Sequence, residues 1–333
     1  MSILINHEQK LAFGLVAIGR NEGERLKKCL GSAATAAAIV IYVDSGSSDG
    51  SVKWAKDLGF EVVSLNMNTP FTAARARNAG FALLREIAPE LAYVQFVDGD
   101  CELDAVWPNT ALSFLAVHKD IAVVFGRRRE RYPARSIYNW MCDQEWNTPI
   151  GEARACGGDA MMRTSVVESV GGYRSDLIAG EEPELCVRIR AAGWRVWRLD
   201  AEMTLHDASM TRLSQWWRRI MRSGYAFAQG AHLHGDSSER HWVWETRRAW
   251  LWGLWLPSAC FASSFLFFPW GFAAWLIYPL QLMRQFMRNR GTMRERLLLA
   301  IFQLLARFAE VHGQMKFMLD RISQRQSGLI EYK

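Results

Sequence analysis

Over the first 235 residues, short apolar runs alternate with amphipathic ones. Ala12 to Ile18 is an apolar run suited to a strand buried on both faces, and Glu22 to Ser32 follows as a helix. Ala38 to Val43 reads as a second strand, Ser51 to Leu58 as a helix and Phe60 to Leu65 as a third strand. Thr72 to Ile87 is a long helix, and Tyr93 to Val97 is a strand ending in Asp98-Gly99-Asp100. Further strands are expected at Ile121 to Phe125 and Trp194 to Leu199, with a helix from Glu181 to Ala192. Strands separated by helices imply right-handed crossovers, hence an α/β fold with a Rossmann-like, mostly parallel sheet. Such sheets bind ligands outside the carboxyl ends of their strands, where Asp44 and the Asp98/Asp100 pair both fall.

The pattern changes at Ala249, where 35 residues run to Met283 without a charged side chain. A straight helix of that length would measure about 52 Å, against a hydrocarbon core of roughly 30 Å. Phe268-Pro269-Trp270-Gly271 supplies a break, so two short helices are expected to form a hairpin that enters and leaves on one side. Arg247 and Arg248 before it, and Arg284, Arg288 and Arg290 after it, place both ends in the cytoplasm. The second arm, Phe272 to Met283, is short for a span, so full crossing and a shallow re-entrant hairpin both stay open, as does a buried helical pair of a soluble domain. Met293 to Ile322 has amphipathic spacing and either lies along headgroups or packs on the α/β domain. The expected division is a domain over 1–235, an apolar hairpin region over 236–292 and a basic amphipathic helical tail over 293–333.

Composition sharpens this picture. With 50% hydrophobic and 22% charged residues, the chain is neither disordered nor fibrous. The net charge of +6 is carried wholly by Arg284 to Lys333, which holds ten basic and four acidic residues. A basic tail after an apolar stretch suits an anionic membrane surface, whereas a nucleic-acid binder would spread basic residues over its folded face. Six scattered cysteines without a C-x-x-C pair suggest neither a disulfide framework nor a thiolate zinc site, and fit a reducing compartment. The opening MSILINHEQK lacks the basic and apolar regions of a secretory signal.

Asp98-Gly99-Asp100 offers two carboxylates to a hard divalent cation, although an ordinary turn after a strand would also use Asp-Gly. The segment Asp44 to Gly50 is neither a dinucleotide fingerprint nor a P-loop. Asp44 there suits a hydrogen bond from a base or ribose, and Asp49 suits capping of the helix at Ser51. Glu181 and Glu182 are either catalytic carboxylates or first-turn acids of a helix with Pro183 at an early position, and both roles can coexist. Arg127, Arg128, Arg129 and Arg131 can approach phosphates, although a solvated charge run is the ordinary reading for most of them. His232, His234 and His241 read as loop residues, and Trp216 and Trp217 as packing at a domain–membrane junction.

In order along the chain, Ile18-Gly19-Arg20-Asn21-Glu22, Asp44 to Gly50, Ala76-Arg77-Asn78-Ala79-Gly80, Asp98-Gly99-Asp100, Gly157-Gly158-Asp159-Ala160 and Gly180-Glu181-Glu182-Pro183-Glu184-Leu185 stand out. Together they resemble the family-2 inverting glycosyltransferases, bacterial-type and membrane-associated, over about residues 12 to 230. The resemblance implies the glycosyltransferase-A fold and a nucleoside-diphosphate sugar, a UDP-sugar first, as donor. It implies that Asp44 contacts the nucleobase, that Ala17 and Ile18 line it, and that Arg20, Glu22 and Arg77 help hold the nucleotide. Asp98 would face the ribose or sugar, and Asp100 would bind Mg²⁺ or Mn²⁺ across the diphosphate, with His206 as a further ligand or a structural histidine. Gly158 and Asp159 would lie beside the donor sugar and acceptor. The family commonly has Glu-Asp where this chain has Glu181-Glu182, so the general base is Glu182 or Glu181. Gln215-Trp216-Trp217-Arg218-Arg219 partly resembles the Gln-x-x-Arg-Trp motif of processive members but has Arg219 in the Trp position. That departure favours transfer of a single sugar, with Gln215 and Arg218 near the acceptor or lipid. The expected activity is transfer to a lipid-linked or saccharide acceptor at the cytoplasmic face of the bacterial inner membrane, in polysaccharide or glycolipid biosynthesis, with membrane lipids and no nucleic acid as partners. The alternative is a membrane-anchored nucleotide-sugar binding subunit that has lost catalysis, which the Glu-for-Asp exchange favours.

Overall fold

The computed structural model describes residues 11–323. The opening segment read for a leader, and the end of the basic tail, lie outside the described residues. The chain divides into two compact units between Thr211 and Arg212.

In the first unit β1 (Leu11–Gly19), α1 (Glu24–Ala34), β2 (Ala37–Asp44), α2 (Ser51–Asp57), β3 (Glu61–Ser64), α3 (Ala73–Ile87) and β4 (Tyr93–Asp98) alternate as the apolar runs predict. Then come β5 (Cys101–Leu103), α4 (Trp107–Val117), β6 (Ile121–Glu130), α5 (Ile137–Glu145) and β7 (Gly151–Ala153). The unit ends with β8 (Ala160–Arg163), α6 (Thr164–Ser169), α7 (Glu181–Ala191) and β9 (Arg195–His206). One sheet runs β3-β2-β1-β4-β8-β6-β9-β5, with β7 on β9. Strands β3, β2, β1 and β4 are parallel, as are β6 and β9, while β8 runs antiparallel between the two groups.

Neighbouring residues of opposite orientation, such as Leu15 with Val16 and Ile41 with Tyr42, are all completely buried, so both faces of the central strands are covered. Each such side chain contributes about 1.5–3 kcal/mol by leaving water. Gln95, completely buried in this core, accepts from Trp107 Nε1 at 2.8 Å and donates to the Phe96 carbonyl. Helix α3 begins at Thr72, whose hydroxyl accepts from Arg75 N at 3.1 Å, and buries a stripe of Ala74, Arg77, Gly80, Phe81 and Leu84. A charged residue within that stripe is thereby carried into the interior. All six cysteines are buried and none is in a disulfide.

In the second unit are α8 (Leu213–His234), α9 (Val243–Trp250), a π-helical turn at Leu251–Trp255 and α10 (Leu256–Leu266). A 3₁₀ segment (Trp270–Leu276), α11 (Ile277–Arg288) and α12 (Met293–Ile322) follow. His232 and His234 are not in a loop as the polar composition suggested, because α8 continues to His234. The run Val243–Leu266 is the one helix among the described residues long and apolar enough to cross a membrane by length and composition. Helix α12 packs on α8, with Trp216 edge-on to Phe302 and Tyr225 edge-on to Phe317.

Candidate functional site

The carboxyl edge of β1, β2 and β4 brings the loops of the first unit together. Register pairs Gly19 with Asp44 and Ile18 with Asp98, and strand spacing then puts the two aspartates about 10 Å apart at their backbones. Ala17 and Ile18 are buried at the end of β1, and Gly99 N donates to the Ile18 carbonyl. The buried Asp44 carboxylate accepts from the Tyr42 hydroxyl at 2.8 Å and from the amides of Gly46 and Ser47, so it organises the loop that it opens. Asn21 and Asp49 lace the two neighbouring loops: Ser48 N donates to Asn21 Oδ1, and Gly23 N donates to Asp49 Oδ2. Asp49 also accepts from Ser51 N, while the cap position of α2 is Gly50 in the left-handed conformation. Arg20 is exposed at the rim, and Glu22 pairs with Arg25 at 2.7 Å.

Two guanidiniums, one buried and one largely so, tie the carboxylates. Arg77 reaches Asp98 at 2.9 Å, Glu181 at 3.0 Å and Glu182 at 2.7 Å, and lies over the Tyr173 ring. Arg128 reaches Asp98 at 2.8 Å and Asp159 at 3.1 Å, and lies over Trp146. Burial pushes the Asp98 carboxyl up, but Arg77 and Arg128 together hold it well below the usual carboxylate range. For Glu182 burial wins: opposed by Arg77 and reinforced by Glu181, it raises the carboxyl to about 7. Glu181 and Glu182 open α7 after Gly180, which is left-handed at φ 78°, so the acids face the positive end of the helix. Glu182 has the more open side chain of the two, 13% exposed against 5%. Asp159 accepts from Asp98 N at 3.0 Å and from the Thr204 hydroxyl at 2.7 Å, which locks the β4 end to its loop. A Cβ at Gly158 would lie 2.8 Å from both Arg77 Nη2 and Asp98 Oδ2, so a side chain there would push against the Arg77–Asp98 pair.

Beside this lattice Asp100 Oδ2 stands 3.2 Å from His206 Nε2, and both side chains are buried. Two donors at about 2.0–2.1 Å from one ion, at right angles, are about 3.0 Å apart, so the spacing fits a shared divalent cation. Burial and Arg128 lower the His206 pKa, which keeps the imidazole neutral as a ligand must be. On the ring's other side Glu130 Oε2 is 3.6 Å from Nδ1. That carboxylate is fixed by Ala208 N, Tyr132 N and Asn139 Nδ2. Cys101 completes a cluster with Asp100 and His206, but sulfur is a soft donor and suits a hard cation such as Mg²⁺ or Mn²⁺ poorly. Asp100 and His206 are therefore the donors that fit.

The first unit brings together Arg77, Asp98, Asp100, Gly158, Asp159, Glu181, Glu182 and His206, with Ala17, Ile18, Arg20, Glu22 and Asp44 along the same sheet edge. Gln215 and Arg218 belong to the second unit: Gln215 Oε1 accepts from Arg212 N in a capping box, and Arg218 is exposed on α8. The arginine run is not solvated as expected. Arg127 is buried on Asp143 and Arg128 lies in the carboxylate lattice; Arg129, paired with Glu202, is half exposed. Strand β6 continues five residues past Phe125, and its period of two turns both Arg128 and Glu130 toward the site. Glu130 was missed, and that alternation is the signal that could have found it.

Residues 16–170 match the family model described as Glycosyl transferase family 2. Among solved structures, the mannosyltransferase PcManGT from Pyrobaculum calidifontis in complex with GDP-Man and Mn²⁺ is similar at a TM-score of 0.58 and 17% identity, over 94% of this chain and 88% of that one. TarS 1–349 from S. aureus in complex with UDP-GlcNAc is similar at a TM-score of 0.50 and 13% identity, over 95% of this chain and 93% of that one. No curated protein gives a significant match. The fold is thus the expected glycosyltransferase-A fold, followed by a helical region.

Proposed function

We propose that this chain is an inverting glycosyltransferase that moves one sugar from a nucleoside-diphosphate sugar to a hydroxyl of a lipid-linked or saccharide acceptor. The observation that carries the reading is the Arg77 clamp, which holds the α7 glutamates against Asp98 beside the Asp100–His206 pair. Glu182 is the base: a carboxyl poised at about 7 takes the acceptor proton near neutral pH. The acceptor oxygen bonds to the anomeric carbon as the bond from that carbon to the diphosphate oxygen breaks, and the nucleoside diphosphate departs from the opposite face with inversion. Asp100 and His206 would hold Mg²⁺ or Mn²⁺, which when bound supplies Lewis-acid stabilisation of the leaving diphosphate. Asp44, Ala17, Ile18, Arg20 and Glu22 line the nucleotide end, and Gly158 and Asp159 the sugar end.

The apolar hairpin and basic flanks support attachment at the cytoplasmic face of a bacterial inner membrane, with a role in polysaccharide or glycolipid biosynthesis. The test is turnover of a panel of UDP-, GDP- and dTDP-sugars by wild type and Glu182→Gln. Equal activity of the two would remove Glu182 as base. Donor binding without turnover of any sugar would instead support the impaired binding subunit.

A further inference from the structure

We propose that the turn of the apolar hairpin is a wedge that enters one leaflet of a bilayer and stops there, both arms returning to the same face. This deepens the membrane attachment proposed above and does not depend on the chemistry of the first unit. Apolar surface is least covered at the turn: Phe265 and Trp270 are 83% and 84% exposed, and Leu266, Phe267, Phe268 and Phe272 are exposed beside them. A contiguous patch of this kind marks an interaction surface.

Several of its polar groups are answered from within. Ser264 Oγ donates to the Cys260 carbonyl at 2.9 Å and accepts from Trp275 Nε1 at 3.1 Å. The amides of Phe267, Gly271 and Phe272 donate to the carbonyls of Ser263, Phe267 and Pro269, and Pro269 has no N–H to satisfy. Gly271 lies so close to Ser263 that no side chain would fit between them. Hydrocarbon demands such internal satisfaction, whereas a turn facing water does not.

Charge sets the depth. At the base of the hairpin Gly253 packs on the backbone of Arg307, whose guanidinium pairs with Glu310 at 2.6 Å, near Arg248 and Glu245. These charges keep the level of Gly253 out of hydrocarbon. Beyond it the helix runs on from Leu254 to Leu266, about 20 Å at 1.5 Å per residue, well short of a roughly 30 Å hydrocarbon core. The returning arm ends in exposed Arg284, Arg288, Arg290 and Arg294. An anionic leaflet supplies their countercharge, whereas the same face of a second copy would bring only more arginines.

The experiment uses the full chain with Phe268→Cys labelled by an environment-sensitive fluorophore, since the native thiols are buried. It is mixed with phosphatidylcholine vesicles with or without phosphatidylglycerol. The expected result is a blue shift on vesicles, stronger with phosphatidylglycerol, and quenching greatest by spin labels at shallow and middle acyl positions. The double variant Phe265→Glu/Phe268→Glu should sediment with vesicles at least about tenfold less while binding sugar nucleotide like wild type. A probe quenched best from the bilayer centre, or reached by a reductant trapped in the lumen, overturns the one-leaflet wedge. An unshifted probe overturns it too, and self-association in the ultracentrifuge would then identify a second copy as the occupant. Insertion as expected with no sugar transfer would overturn the transferase reading and leave the wedge standing.

Discussion

Arg77→Gln is the most demanding test of the site's electrostatics. Arg77 is 2% exposed and pairs with three carboxylates at 2.7, 2.9 and 3.0 Å. Asp98 keeps Arg128, so the loss falls on Glu181 and Glu182, consecutive residues at the start of α7. Breaking a buried ion pair from one side costs about 3–5 kcal/mol, a large part of the about 5–15 kcal/mol by which domains are stable. The pH dependence has a definite sign. In the variant, burial and the neighbouring Glu181 charge, no longer opposed by Arg77, raise the Glu182 carboxyl further above its unfolded value, so the folded state holds its proton more tightly than the unfolded one. Stability of the variant therefore drops as pH rises above about 4.3, and returns on acidification. Urea unfolding of both proteins at pH 5.5 and 7.5, followed by fluorescence, should show a gap of about 3–5 kcal/mol that narrows at the lower pH. A gap below about 1 kcal/mol, or one that widens at pH 5.5, would refute the clamp.

Glu182 should give kcat/KM an ascending limb through about pH 7, because burial, only partly offset by Arg77, keeps it protonated below that value in the free enzyme. Glu182→Gln should cost about 10²–10⁴ in kcat and abolish the limb; a surviving limb would belong to another group. Glu130→Gln should weaken Mn²⁺ binding by about 10–100-fold in calorimetry with the circular dichroism unchanged, since it faces His206 Nδ1 at 3.6 Å; an unaltered affinity would detach it from the ligand. Gly158→Ala forces a Cβ to within 2.8 Å of two charged groups and should destabilise the first unit by about 1–3 kcal/mol, read by thermal melting; an unshifted melt would mean that the loop yields freely.

The central strands were legible because residues buried on both faces read as continuous apolar runs, and β1, β2 and β4 match those runs to within a residue or two at each end. The late strands were not. Strand β6 passes from Ile121 into Arg127, Arg128 and Arg129, and β9 passes from Leu199 into Asp200 and Glu202. Charge looked like the end of each strand, yet the partners that neutralise it lie elsewhere in the sequence. Arg128 is answered by Asp98 and Asp159, and Arg127 by Asp143, pairings that no local pattern encodes. His206 was placed after its strand and is in fact its last residue, a shift that pairs it with Cys101 and sets it beside Asp100.

The charge balance of the site has one more consequence. Asp98, Asp100, Glu130, Asp159, Glu181 and Glu182 stand together against the guanidiniums of Arg77 and Arg128, with His206 neutral. Even with Glu182 half protonated near pH 7 the site is strongly negative. A nucleoside diphosphate brings further negative charge, so repulsion opposes its entry at short range, where screening by salt is weak. Donor binding should therefore be conditional on a divalent cation. Calorimetric titration with UDP-sugar in a chelator should show at least about a tenfold weaker affinity than in Mn²⁺, the ratio produced by about 1.4 kcal/mol of unrelieved repulsion. Asp100→Asn, which removes one charge and leaves a weaker ligand, should shrink that ratio from both sides, improving binding in chelator and weakening it in Mn²⁺. Equal affinities with and without the ion in wild type would show that the two arginines alone neutralise the donor, and the assignment of Asp100 and His206 as metal ligands would fail.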